Sequence, residues 1–197
     1  MKKTILILTA LLFSVQAQAA LVGTLGGKII GAVSIQEDSP TNRRQQGFDE
    51  QQGVLLTKMI KVDGGFIAKG TKVDSHIIFF NTKGNKYGAS KALWKFDGQI
   101  LGVMSDKKGR LMNKTNDIFA AFDDYFTTGK SLPFNAAGME GRDGYFINAM
   151  VLGVFMEVTE PGDWIRVITA SAVPIPAAIW LFGSALLGFV GMRRRSK

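Results

Sequence analysis

The sequence contains no cysteine and only one histidine, His76. A chain without cysteine forms no disulfide bonds, holds no zinc through thiolates and has no cysteine nucleophile. Its stability must therefore come from its core alone. The lack of cysteine says little about compartment, because an exported bacterial protein can fold without disulfides.

The middle of the chain also lacks a large excess of basic over acidic residues. The net charge of +8 suggests a nucleic acid or an acidic membrane as partner, until the positions of the charges are considered. Six basic residues lie at the two ends, so the remaining 18 basic residues face all 16 acidic ones and leave a net of +2. We therefore expect no nucleic-acid partner.

The N-terminus has the pattern of a secretory signal peptide. Two lysines precede an apolar run at residues 5–15, and the small residues Ala17 and Ala19 follow it. The run is too short to cross the roughly 30 Å of a bilayer core at about 1.5 Å per helical residue. Residues 1–19 are therefore predicted to enter the export machinery and to be removed by signal peptidase before Ala20.

The C-terminal region has the composition of one membrane span. Residues 177–192 carry no charge, and the apolar stretch that begins at Val173 reaches about 20 residues, enough to cross a bilayer once. Arg193, Arg194 and Arg195 follow directly and would stop translocation with the tail in the cytoplasm. A buried core helix would need a polar face toward solvent, and this stretch has none. We predict a single span in the inner membrane, with the middle of the chain outside it.

A short proline motif precedes the predicted span. It consists of Val173, Pro174, Ile175, Pro176 and Ala177. The two prolines favour extended or polyproline geometry, which a processing enzyme can bind, but Pro176 could also simply begin the helix. Local physical chemistry does not decide between these two interpretations.

The order of proline motif, single span and arginine-rich end resembles the PEP-CTERM sorting signal, and most closely its Val-Pro-Leu-Pro-Ala variant. Residues 180–188 continue the resemblance, whereas Ile175 stands where the name-giving pattern has glutamate. The resemblance is confined to residues 173–197. It implies that an exosortase processes the chain as its substrate and passes it to the cell surface or the medium. Exosortases are membrane-embedded cysteine transpeptidases of Gram-negative bacteria that secrete exopolysaccharide.

Residues 20–172 form the middle domain, where apolar and β-branched runs are separated by glycine-containing turns. This pattern predicts a mainly β fold, an antiparallel, jelly-roll-like β-sandwich with one short helix. The predicted strands are residues 53–62, 71–82, 92–104, 145–158 and 164–169.

Three segments of the middle domain carry more detailed predictions. Residues 71–82 are apolar on both faces in their second half, which indicates a central strand between two packed layers. Asn116 could cap a short helix whose apolar face continues to Phe126. The polar residues 43–52 are expected to form a loop.

The chain offers little for catalysis. His76 and Asp74 share a strand face and could act as a base with its orienting carboxylate, but a satisfied structural histidine is the commoner role. Asp123 and Asp124 are neighbours on the predicted helix, so they diverge by roughly 100° and cannot act as a carboxylate pair. Acidic residues without EF-hand spacing form a calcium site only where separate loops converge. We expect no enzymatic activity, no cofactor and no metal site.

Aromatic side chains are the candidates for ligand binding. Trp94 and Trp164 could form a platform for sugars, because exposed rings on a rigid sheet suit a flat apolar ligand face. Packing in the core is the default role of large aromatic side chains and the alternative here.

Two functional hypotheses follow. The first is an exported, non-catalytic surface or extracellular-matrix protein that an exosortase processes and that has a structural or binding role linked to exopolysaccharide. The second is a carbohydrate-binding module that stays anchored in the inner membrane and faces the periplasm. A hydrolase that uses His76 is a third and weaker hypothesis.

Overall fold

Most of the described chain is folded into strands. The computed structural model describes residues 20–31, 43–83, 86–120, 138–159 and 162–171. All of them belong to one unit of the chain, Gln18–Ala172. In chain order they form β1 (Leu21–Leu25), β2 (Lys28–Ile29), β3 (Gln46–Leu55), β4 (Ile60–Val62), β5 (Gly65–Ile67), β6 (Lys72–Phe80), β7 (Gly88–Phe96), β8 (Ile100–Met104), α1 (Arg110–Asn113), α2 (Asn116–Phe119), β9 (Gly144–Asn148), β10 (Val151–Val158) and β11 (Asp163–Ala170).

The described strands pair in two large sheets and a small hairpin. The four-stranded sheet has the order β1-β7-β10-β9, and the five-stranded sheet has the order β2-β3-β6-β11-β8. The hairpin consists of β4 and β5. The described pairs are antiparallel except β2 with β3, which is parallel. A mainly β fold of antiparallel sheets, as expected for a β-sandwich, is therefore confirmed.

The two large sheets pack face to face through one apolar core. Alternate residues of each strand point into it, as the period of two in a strand requires. Its buried members are Leu21, Ile78, Phe80, Ala92, Trp94, Phe96, Ile100, Val103, Leu152, Val154, Met156, Val158, Ile165 and Val167.

A second core covers the opposite face of the five-stranded sheet. There the β4–β5 hairpin and the two short helices supply the covering side chains. Its buried members are Phe48, Leu56, Ile60, Val62, Ile67, Val73, Ile77, Phe79, Met104, Met112, Phe119, Trp164 and Ile168.

β6 is the strand that both cores share. Ile77 and Phe79 belong to the second core, whereas Ile78 and Phe80 belong to the core between the sheets. Every residue of β6 after Lys72 is buried. The predicted central strand at residues 71–82 is therefore confirmed.

Three of the predicted strands are each two strands in the structure. Residues 53–62 contain the end of β3 and all of β4. Residues 92–104 contain the second half of β7 and all of β8, and residues 145–158 contain β9 without its first residue and all of β10. β9 and β10 form an antiparallel hairpin, whose turn places Ala149 at a positive φ of 52°. Alanine is a weak turn signal, so the pattern of apolar residues alone did not mark this boundary.

The predicted polar loop at residues 43–52 is wrong, because most of this segment belongs to β3. β3 pairs with the central β6, and most of its first half is buried despite its polar sequence. Gln45, directly before it, shows the reason: its side-chain amide donates to the carbonyl oxygens of Ser90 (3.0 Å) and Val154 (3.1 Å) and accepts from Nε1 of Trp94 (2.9 Å). Polar side chains can be buried when partners of this kind satisfy them.

The predicted short helix is replaced by two helices of four residues each. Asn116 does not cap α2, because Thr115 occupies the N-cap position and Asn116 is the first helical residue. The side-chain oxygen of Asn116 instead accepts a hydrogen bond from Arg166. The rest of the predicted helical face, up to Phe126, lies outside the described residues, as do Asp123 and Asp124.

A buried ion pair joins β3, β11 and the helices inside the second core. Nε and Nη2 of Arg166 donate to the two carboxylate oxygens of Glu50 at 2.7 and 2.6 Å, and both side chains are fully buried. Nη1 of Arg166 donates to the carbonyl oxygen of Met112 and to Oγ1 of Thr115, each at 2.8 Å. Ser75 on β6 also donates to Glu50, at 2.5 Å. The pair therefore connects β3, β6, β11 and both helices through charge-assisted hydrogen bonds.

The predicted processing signals lie outside the described residues, with one exception. The exception is Ala20, the first residue after the predicted cleavage site, whose N–H donates to Oδ1 of Asp97 at 2.5 Å. Within the described ranges, no helix has both the length and the apolar character needed to span a membrane.

We predict that Arg166→Met destabilises the protein by about 3–5 kcal/mol, because it leaves the carboxylate of Glu50 buried without its counter-ion. Urea denaturation measures the free energy of unfolding. Lys58→Met is the control: it breaks the exposed pair with Asp117 (2.9 Å) and should cost less than about 1 kcal/mol. Equal losses in the two variants would contradict the role given to the buried pair.

Candidate functional site

Both tryptophans of the predicted platform lie in the cores. Trp94 is fully buried and donates from Nε1 to Gln45, and Trp164 stacks on Phe79 with ring centroids 4.2 Å apart and planes 9° apart. Each occupies an inward position of its strand. The prediction that they offer exposed rings to a ligand is therefore wrong, and the alternative of core packing is correct.

His76 is a buried histidine with two partners. Its Nδ1 lies 2.7 Å from Oδ1 of Asp49, and its Nε2 lies 3.0 Å from Oγ1 of Thr169. Asp74, the partner considered from the sequence, instead accepts from the N–H of Gly53 and from Oγ of Ser171. A carboxylate, an imidazole and a hydroxyl do align here, but His76 and Thr169 have no exposed surface through which a substrate could reach them. This geometry favours the structural role.

The outer face of the four-stranded sheet presents a row of apolar residues to solvent. The register places Leu25 of β1 opposite Leu93 of β7, Leu93 opposite Gly153 of β10, and Gly153 opposite Phe146 of β9. These four residues, called the apolar row below, cross the whole sheet. Their neighbours along the strands, such as Trp94, point inward and fill the core.

Large side chains of the apolar row remain exposed. The exposed fractions are 73% for Leu25, 40% for Leu93 and 59% for Phe146. Scattered apolar residues are normal on a protein surface, but a contiguous group of them on one rigid face is a common mark of a binding site. The row lies in an open groove of about 700 Å³, called the outer groove below, which also includes Lys91 and Phe155.

Gly153 allows the ring of Phe146 to lie against the sheet. A Cβ atom at position 153 would collide with Cδ1, Cε1 and Cζ of that ring. The ring therefore rests on the backbone of β10 while more than half of the side chain stays exposed. A ring held in this way needs little further ordering when a ligand stacks on it, which lowers the entropic cost of binding.

Two lysines flank the apolar row. Lys91 and Lys95 lie two residues on either side of Leu93 along β7, so all three side chains point outward. Nζ of Lys91 lies 5.2 Å from the ring centroid of Phe155, within the range of a cation–π contact. The residues that line the outer groove include no aspartate or glutamate. The surface is therefore apolar along its centre, with Lys91 in the lining of the groove and Lys95 outside that lining, on the other side of the row.

Phe146 and Gly153 were not recognised as site residues from the sequence. Both lie in the predicted strand 145–158, where alternation puts Tyr145 and Phe146 on opposite faces. The alternation of side chains does not show which of the two faces packs against the rest of the protein. In the structure Tyr145 points inward, where its hydroxyl donates to Oδ2 of Asp63 at 3.1 Å and burial raises the pKa of Tyr145 to about 12.

A pair of carboxyl groups lies away from the outer groove. Asp163 at the start of β11 is only 4% exposed, and burial, then the neighbouring Asp143 and Glu140, raise the pKa of Asp163 to about 9. Asp143 accepts from the backbone N–H groups of Glu140 (2.9 Å) and Glu157 (2.6 Å). Burial, together with the neighbouring Asp143, therefore favours the neutral form of Asp163. Among the described residues, no three histidine, aspartate or glutamate side chains are grouped as a metal site.

No family model, no curated protein and no solved structure matches the chain.

We predict that Asp163→Asn changes how stability depends on pH. The folded-state pKa of about 9 lies above the ordinary value of 3.8, so the folded protein binds this proton more tightly than the unfolded chain does. The stabilising contribution of the proton is fully present below about pH 4 and is lost as the pH rises to about 9. Asparagine keeps a hydrogen-bond donor without titrating, so the variant should be more stable than the wild type by at least about 1 kcal/mol at pH 8 and lose this advantage at pH 4.

Urea denaturation at pH 4, 6 and 8 measures this difference. Asp117→Asn, which replaces an exposed carboxylate, is the matched control and should leave the slope of stability against pH nearly unchanged. A difference between Asp163→Asn and the wild type that does not vary with pH would contradict the assignment of a raised pKa.

Proposed function

We propose that the chain is an exported, non-catalytic protein of the bacterial surface or extracellular matrix, and that its β-sandwich binds polysaccharide in the outer groove. The observation that carries the binding role is the exposed ring of Phe146 resting on Gly153. Sugar rings have apolar faces lined with C–H groups, and an exposed aromatic ring is a suitable surface for them. Leu25 and Leu93 extend that surface across the sheet.

An open groove suits a polymer better than a small molecule. Small-molecule sites are usually enclosed pockets that bury most of their ligand. The apolar row instead crosses all four strands and is exposed at Leu25 on one edge and Phe146 on the other. A chain of sugars could lie along the row and continue beyond both edges of the sheet.

The order of the sequence signals supports export and sorting. A signal peptide at residues 1–19 would bring the domain across the inner membrane, and the span before Arg193, Arg194 and Arg195 would hold it there with its C-terminus in the cytoplasm. An exosortase-like transpeptidase would then cut at or near residues 173–177 and pass the domain to the surface or the medium. The buried positions of His76 and Thr169 support a non-catalytic role.

The alternative is a carbohydrate-binding module that keeps its span and faces the periplasm. The outer groove could bind carbohydrate in either case, so the two hypotheses differ in whether the C-terminal span is removed.

We predict that mass spectrometry of the protein from medium and surface fractions finds a C-terminus within residues 173–177. Intact Lys197 in the inner membrane alone would favour the permanently anchored module.

Neutral substitution of the arginine cluster tests the sorting signal directly. Changing Arg193, Arg194 and Arg195 to glutamine should reduce retention in the inner membrane and the amount of processed protein, because the stop-transfer charge is lost. Sorting and processing at wild-type levels would contradict the proposal.

We predict that Phe146→Ala weakens polysaccharide binding about fivefold to tenfold, because loss of one aromatic stacking contact costs about 1 to 1.4 kcal/mol. Gly153→Ala should have a similar effect by displacing the ring. Affinity electrophoresis of the full-length protein in gels that contain polysaccharide measures the change.

Matched controls exist on the β4–β5 hairpin. Phe66 is 62% exposed and lies outside the outer groove, and a Cβ at Gly65 would meet no atom within 4 Å. Phe66→Ala and Gly65→Ala should therefore leave binding unchanged. Equal effects of the hairpin and groove variants would remove the outer groove as the binding surface.

A further inference from the structure

The distribution of charge around the apolar row indicates what kind of polysaccharide would bind. Lys91 lies on one side of the row and Lys95 on the other, at backbone positions about 13 Å apart along β7. This distance leaves room for a polymer to lie along the row between the two ammonium groups. Charged groups on either edge of such a polymer would meet a lysine.

The nearby acidic side chains are engaged elsewhere. Glu157, which lies beyond Lys91 on the same face, pairs with Nη2 of Arg142 at 3.0 Å. Asp97, two residues after Lys95, accepts from the N–H of Ala20. A hydrogen bond from a neutral N–H leaves the charge of Asp97 in place, so the positive charge of the outer groove rests first on Lys91. Lys91 lines the groove, and no aspartate or glutamate does.

The position of Lys91 is set by the groove itself. Its ammonium group lies over the ring of Phe155, which is a favourable site for a cation and keeps the charge at the edge of the groove. Its alkyl chain can cover apolar surface while the charge stays in water. The groove thus combines an apolar centre, which suits sugar faces, with cations at its edges, which suit carboxylate groups.

We propose that the outer groove selects acidic polysaccharides, with sugar rings on Leu93 and Phe146 and carboxylates at Lys91 and Lys95. This inference rests on the proposed function of the groove as a polysaccharide site. An anionic lipid also combines apolar and charged parts, but a protein that binds a single lipid molecule usually encloses its acyl chain, whereas Leu25, Leu93 and Phe146 lie in an open groove. The observations therefore favour the glycan.

The test compares two polymers that differ in charge. The full-length protein in phosphatidylcholine nanodiscs is titrated with alginate, a polyuronate, and with dextran, a neutral glucan, without divalent cations. We expect alginate to bind about fivefold to tenfold more tightly at low salt, and this preference to disappear near 1 M NaCl, where charges are screened within about 3 Å.

Lysine variants separate the charged contribution from the apolar one. Lys91→Gln/Lys95→Gln should lower alginate affinity about fivefold to tenfold and leave dextran affinity unchanged. The control Lys61→Gln/Lys69→Gln removes the same net charge from exposed positions outside the groove and should change neither affinity. The salt dependence of alginate binding can also be measured on the wild type alone, so the contribution of charge can be tested without a variant.

Three other outcomes would contradict the acidic selectivity, the polysaccharide binding or both. Equal binding of both polymers, without dependence on salt or on the two lysines, would overturn the acidic selectivity and leave the proposed function intact. Binding of neither polymer would overturn both. Displacement of bound alginate by short-chain phosphatidylglycerol, with the same dependence on Lys91 and Lys95, would assign the groove to an anionic lipid.

Discussion

The guanidinium group of Arg166 uses all five of its N–H donors inside the second core. Two reach Glu50 on β3, two reach Met112 and Thr115, and one reaches Asn116 at the start of α2. A shifted register of β3 or β11 would leave one of these buried charges unpaired at a cost of several kcal/mol. The interaction therefore sets the alignment of the five-stranded sheet, against which the hairpin, the helices and the other sheet are packed.

The two large sheets consequently have different roles. The five-stranded sheet is covered on both faces and has a central strand that is almost completely buried. Among the described residues, the four-stranded sheet packs against the other sheet with one face, as antiparallel sheets allow, and its other face carries the apolar row. The inner face of this sheet fills the core, whereas large side chains of the apolar row, such as Leu25 and Phe146, stay exposed.

The fold class and the central strand could be predicted from the sequence, because β-branched and apolar runs bounded by turns report directly on strands. β3 could not be predicted in this way, because Gln45 and Glu50 look solvent-exposed until their distant partners Trp94 and Arg166 are known. The candidate site was missed for a related reason. Alternation separates the two faces of a strand, but only the tertiary packing decides that Trp94 is covered and Phe146 is not.

The contact between Ala20 and Asp97 has a consequence for maturation. In the precursor the nitrogen of Ala20 belongs to a neutral peptide group, and its N–H donates to the Asp97 carboxylate. Cleavage before Ala20 would create an α-amino group there, which is mostly protonated at neutral pH. The hydrogen bond would become an ion pair at the start of β1, where Leu21 already donates to Asp49, the partner of His76. If the predicted signal peptide is removed, an ion pair would therefore replace a neutral hydrogen bond between Ala20 and Asp97, and the processed chain would attach the start of β1 to the domain more strongly than the unprocessed chain does.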